Sequence, residues 1–101
     1  MFRLVTLSVL TLGLPVMALA DDAKIANCAA TAGIVGDAVD ERNGGNSQTG
    51  AIDFLTSDEG GIEEKYDPAV PMLVEWVYTL PEDQLTDEAA SAFEKACLAH
   101  E

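Results

Sequence analysis

The chain has 101 residues, with 18 Asp and Glu against five Lys and Arg, one His, two Cys and a formal charge of -13 at pH 7. That length allows one domain, and charge of that sign repels phosphate backbones, which excludes nucleic acid as a partner. Two cysteines and one histidine cannot build a four-thiolate or multi-histidine metal site, while a 49% hydrophobic share supplies the apolar surface a folded core needs.

Met1-Phe2-Arg3 is a short positive start, followed by an apolar run from Leu4 to Leu14. Pro15 interrupts it, and Ala18-Leu19-Ala20 has the small-x-small pattern read by signal peptidase. Residues 1–20 are therefore expected to be a signal peptide, and residues 21–101 a single domain without a stable membrane anchor. Cleavage removes Arg3 and leaves Lys24, Arg42, Lys65 and Lys95 against all 18 acids. No Asn-x-Ser/Thr acceptor is present, and the expected location is bacterial: periplasmic or secreted.

The fold class expected is all-α, a small bundle of about four helices. Asp21 or Asp22 is placed to cap a first helix running to about Arg42, where Asn43-Gly44-Gly45 ends it. Its apolar stripe is Ile25, Cys28, Ala32, Val35 and Val39, at helical spacing. Gly33 and Gly36 each cost about 1 kcal/mol against Ala in a helix interior, and Gly36 beside the stripe would let a partner helix approach closely.

Ser47 is a cap for a short second helix through Leu55, and Ser57 to Gly61 reads as a loop. Glu63 to Tyr66 suits a single helical turn. Asp67-Pro68 is the expected start of a third helix, with Pro71 still in its first turn. Val70, Leu73, Val74 and Val77 make one face of it. Met72, Trp76 and Leu80 cover much of the rest, the pattern of a central helix. Pro81 stops it. Thr86 caps a fourth helix whose inward face is Ala89, Ala90, Phe93, Ala96 and Cys97.

Cys28 and Cys97 thus fall on inward faces of the first and last helices. In an exported chain they are expected to form a disulfide closing about 70 residues, worth roughly 4 kcal/mol in the chain-entropy model. A redox-active role needs a Cys-x-x-Cys pair or a basic neighbour, and the sequence has neither.

Other candidate chemistry is thin. Gly50-Ala51-Ile52-Asp53-Phe54 has the look of an EF-hand loop centre, but Gly45 and Thr56 stand where that loop needs carboxylates. Asp58, Glu59, Glu63, Glu64 and Asp67 cluster around a Gly-Gly turn without fixed ligand spacing, and read as a solvated loop. The only His, His100, lies beside the last residue, away from any nucleophile in sequence. No catalytic residue, metal or cofactor is expected. Met72, Trp76 and Tyr78 are the candidate partner contacts, although Trp76 on so apolar a segment equally reads as core.

The layout resembles that of small exported two-cysteine helical proteins of proteobacteria. The residues that carry the resemblance are Cys28 on the first helix, the glycine turn after Arg42, the segment Trp76-Val77-Tyr78-Thr79-Leu80-Pro81, and a capped last helix reaching Cys97. It implies fold and export, and no activity. A looser likeness is to acid-activated periplasmic chaperones of enteric bacteria, which are small, helical and tied by one disulfide. Only the two-cysteine layout matches, and the shortage of lysine departs from that family. Two expectations follow: a non-enzymatic binding or accessory module of the cell envelope, taking another envelope protein or a small ligand, or an acid-responsive periplasmic chaperone.

Overall fold

The computed structural model describes residues 14–100, with side chains described from residue 21. It contains four α-helices: α1 (Leu14–Asn43), α2 (Gln48–Leu55), α3 (Val70–Thr79) and α4 (Asp87–Ala99). Single turns of 3-10 helix at Asp58–Gly60 and Glu82–Gln84 and a longer one at Glu64–Ala69 join them, and no strand occurs among the described residues. Most of the expected leader lies outside the described residues.

Asp21 and Asp22 do not cap α1, because the helix already runs through Leu14–Ala20. Met17, Ala18, Leu19 and Ala20 are strong helix formers that lead into Asp21 without a break. The other end closes as a Schellman turn, one residue later than expected. Asn46 N–H donates to the Glu41 carbonyl, Gly45 N–H donates to that of Arg42, and Gly45 has φ +89°. Only glycine takes that backbone without strain.

Cys28, Ala32, Val35 and Val39 are buried on α1, joined by Ile34 and Ala38. Ile25, expected in the same stripe, is instead 54% exposed. The reason is the length of α4, which runs antiparallel along α1: Cys97 meets Cys28, and a Cβ on Gly36 would lie 3.7 Å from that of Ala90. Because α4 ends at Ala99, a side chain one turn before Cys28 has outrun it.

Ser47 caps α2 as expected, its Oγ accepting from Gly50 N–H at 3.0 Å. Ala51 and Leu55 are the residues α2 buries. Gly60 folds back over its end, where a Cβ would come within 2.7 Å of the Phe54 and Leu55 carbonyl oxygens, so a side chain there has no room.

The third helix begins at Val70 rather than at Asp67-Pro68. Pro71 has no N–H to give the Asp67 carbonyl, as an α-helical turn would require. Val70 N–H takes that carbonyl instead, one residue closer, and the chain tightens into 3-10 helix over Glu64–Ala69. Val70, Leu73, Val74 and Val77 are all buried, the face expected. The opposite side is not enclosed: Met72 is 66% exposed and Trp76 39%, so α3 is a flank of the bundle rather than its centre.

Thr86 Oγ1 accepts from Glu88 N–H at 3.2 Å and starts α4. Ala89 is buried, while Ala90, Phe93 and Cys97 are half-buried. Ala96 faces outward with Ala92 and Ala99, because α4 has one long neighbour, α1, and a narrow stripe suffices to meet it. The core that results is Ile34, Val35, Ala38 and Val39 of α1, Ala51 and Leu55 of α2, the four inward residues of α3, Leu85 and Ala89. Each Val, Leu or Ile fully buried there contributes about 1.5–3 kcal/mol.

Candidate interaction face

Met72 and Trp76 lie one turn apart on the outer side of α3, so helical spacing places their side chains next to each other. Trp76 extends toward α4, where its ring meets Phe93 with centroids 6.0 Å apart and planes tilted by 47°. Such tilted pairs are worth about 0.5–1.5 kcal/mol beyond their burial. Both helices pack chiefly on α1, and this pair reaches across the gap between them. Phe93 belongs to this face, whereas its sequence pattern indicates only the inward side of α4. A half-buried aromatic and a fully buried one have the same helical spacing, so the signal was not in the sequence.

Tyr78, two residues on from Trp76, lies on another side of α3. Its hydroxyl donates to the Asn46 carbonyl at 2.7 Å, and the Arg42 guanidinium sits 5.6 Å above its ring. Burial first, and then the Glu41 carboxylate, push its phenol above the ordinary value, against a smaller opposing pull from Arg42. Tyr78 therefore stays protonated and ties the turn after α1 to α3. Asn43 Nδ2 adds a bond to the Leu85 carbonyl at 3.1 Å. The structure brings together Met72 and Trp76, and leaves Tyr78 in this internal network.

Cys28 and Cys97 form the disulfide, joining α1 to α4 with Cα atoms 5.7 Å apart. Cys28 is fully buried and the bond lies along the seam of the two helices. In the acidic loop Asp58, Glu59, Glu63 and Glu64 are exposed and Asp67 is half-buried. Lys65 Nζ lies 3.7 Å from Glu63 on the open surface, where such a pair contributes little. Among the described residues no group of three or more His, Cys, Asp or Glu is arranged to hold a metal ion. The stretch resembling an EF-hand centre is helix α2. His100 lies just past α4, exposed, its N–H bonded to the Ala96 and Cys97 carbonyls.

A cleft of about 410 Å³ runs between α1 and the segment after Gly61, lined by Gly33, Ile34, Asp37, Ile62 and Tyr66 among others. Tyr66 closes one part of it through a bond from its hydroxyl to Asn27 Oδ1 at 2.8 Å. Asp37 stands at its edge with its carboxyl pushed above the usual range, first by partial desolvation and then by Asp40 and Glu41.

No helix among the described residues is long and apolar enough to cross a membrane. No protein-family model matches the chain, and neither a curated protein nor a solved structure matches it. On the outer side of α3 the bundle offers Met72 and Trp76 to solvent, with Glu75 exposed beside them.

Proposed function

We propose that this chain is a non-enzymatic interaction module of the bacterial cell envelope, exported and then held rigid by its disulfide. The observation that carries the reading is the exposed Met72–Trp76 pair, backed by the half-buried Phe93, on a scaffold closed by Cys28–Cys97. Large apolar side chains that stay exposed together, on a helix whose other side is fully buried, are the usual mark of a contact surface. A disulfide along the α1–α4 seam supports folding in an oxidising compartment, as the periplasm is.

An acid-responsive chaperone would need native carboxylates whose ion pairs break on protonation and release the fold. Among the described residues the one ion pair is Lys65–Glu63, exposed on a loop. Asp37 is displaced in the sense that acid favours the fold. These observations support a module that is binding-competent at neutral pH.

The test is capture from periplasmic extract at low and high salt, with the oxidised protein and its Trp76→Ser variant as baits. Enrichment of a protein by the parent and not by the variant is expected. Equal recovery by both, or none by either, would count against the reading.

A further inference from the structure

The charge on the Met72–Trp76 side of α3 is of one sign: Glu75 is exposed between Met72 and Trp76, and α3 carries no Lys or Arg. The cations of residues 21–101 are placed elsewhere. Arg42 is held by the Val77 and Leu80 carbonyls and by the Tyr78 ring, and Lys65 sits by Glu63. Lys95 shares the outer side of α4 with Ser91, Ala92, Ala96 and Ala99. Lys24 is a turn before Cys28 on α1, beyond the reach of Phe93 given the antiparallel pairing of α1 and α4.

We infer that this face docks a basic amphipathic helix from a partner protein. Apolar side chains one turn apart on that helix sit over Met72 and Trp76, the spacing by which helices are read in grooves. A flanking Lys or Arg meets Glu75, which steers the approach and sets the orientation. The same charges oppose the other candidate occupants. A second copy would bring Glu75 toward like charge on a chain with 18 acids, and an anionic membrane would repel it too.

The inference rests on the interaction-module reading and narrows it. Trp76 is the single tryptophan, so its emission reports the face directly. The probe is a leucine–lysine peptide of about 15 residues, long enough to form a helix when bound, compared with its leucine–glutamate counterpart. Expected is a saturable blue shift of Trp76 with the lysine peptide alone, weakening as salt rises. Met72→Asp separates docking from general attraction, because it removes an apolar anchor while adding an acid. Docking on this face requires binding to weaken, by about tenfold for an anchor residue; attraction to overall charge requires it to tighten. Met72 is mostly exposed, so the substitution leaves the core untouched. Glu75→Lys is the second variant, expected to weaken the lysine peptide and admit the glutamate one.

Tighter binding by Met72→Asp, equal binding of both peptides, or no effect of either variant would overturn the inference. So would a Trp76 shift produced by anionic vesicles or by self-association without peptide. Trp76-dependent capture of a non-basic protein from extract would sink the inference and leave the broader reading standing.

Discussion

Arg42 on α1 donates from Nη1 to the carbonyl oxygen of Val77 on α3, at 2.8 Å. The same nitrogen reaches the Leu80 carbonyl at 2.7 Å. The Val77 carbonyl also accepts from Leu80 N–H at 3.2 Å, so the guanidinium fills its second lone pair and the Leu80 carbonyl, at the helix end where partial negative charge favours a cation. It also fixes how the end of α1 meets the end of α3, since the Tyr78 ring lies beneath it.

Arg42→Met keeps the apolar stem and removes the donors. It is expected to lower unfolding stability by about 1.5–3 kcal/mol, the range for hydrogen bonds to a charged group. Arg42→Lys should recover only part, because an ammonium lacks the planar fork. Urea unfolding of the three proteins checks this, and a Met variant as stable as the parent would show that Arg42 does not cap α3.

The Cys28–Cys97 bond spans 69 positions and ties the two helices that make the longest seam. Its loss is expected to cost roughly 4 kcal/mol on the chain-entropy account. Comparing denaturant midpoints with and without reductant, and for Cys28→Ser with Cys97→Ser, measures it. Unchanged midpoints would mean that packing alone holds α4 to α1.

Two glycines should respond in opposite senses. A Cβ on Gly33 would meet nothing within 4 Å, so Gly33→Ala should stabilise the protein by about 0.5–1 kcal/mol through helix propensity and the unfolded chain. Gly45 has φ +89°, and Gly45→Ala should destabilise by about 1 kcal/mol or more through left-handed backbone strain. Thermal melts of both variants decide the matter, and shifts of the same sign would contradict the account.

Asp37 gives a pH dependence of known sign. Its folded carboxyl titrates above the ordinary Asp value, chiefly through desolvation, with Asp40 and Glu41 adding to it. Above that value the folded protein binds the proton more readily than the unfolded chain does. Stability from this group therefore rises as pH falls through the folded pKa, and neutral pH carries a penalty. Asp37 remains open to solvent, which keeps the effect small. Relative to Asp37→Asn, the parent should gain in urea midpoint as pH falls from 7 toward the ordinary carboxylate range, and Asp37→Asn should raise the neutral midpoint and flatten the rise. A parent midpoint that falls relative to the variant over this range would reverse the assignment.

What could be read from the chain, and what could not, divides along physical lines. The inward face of α3, the Ser47 and Thr86 caps, the glycine stop after Asn43 and the disulfide all follow from local spacing or from local backbone chemistry. The exposure of Ile25 depends on where α4 ends, which is a tertiary fact. The start of α3 shifted because Pro71 acts on a carbonyl four residues earlier, an effect hidden by the favourable Asp67-Pro68 pair. The site was less legible than the fold. Residue type alone points to Met72 and Trp76, while Phe93 joins them, and Tyr78 leaves them, only through the packing of α3 and α4 on α1. Arg42, visible merely as the base near a helix end, turned out to cap a different helix from its own.

Circular dichroism of the oxidised protein, in the near and far ultraviolet from pH 7 to 2, tests most directly that this is a constitutively folded binding module. Trp76 packed on Phe93 supplies a tertiary signal, and the four helices supply the other. The account expects both to persist through the range where the carboxylates lose their charge, near pH 4. Loss of the near-ultraviolet signal around pH 3 with helix retained, the signature of an acid-loosened globule, would contradict it and favour an acid-responsive chaperone.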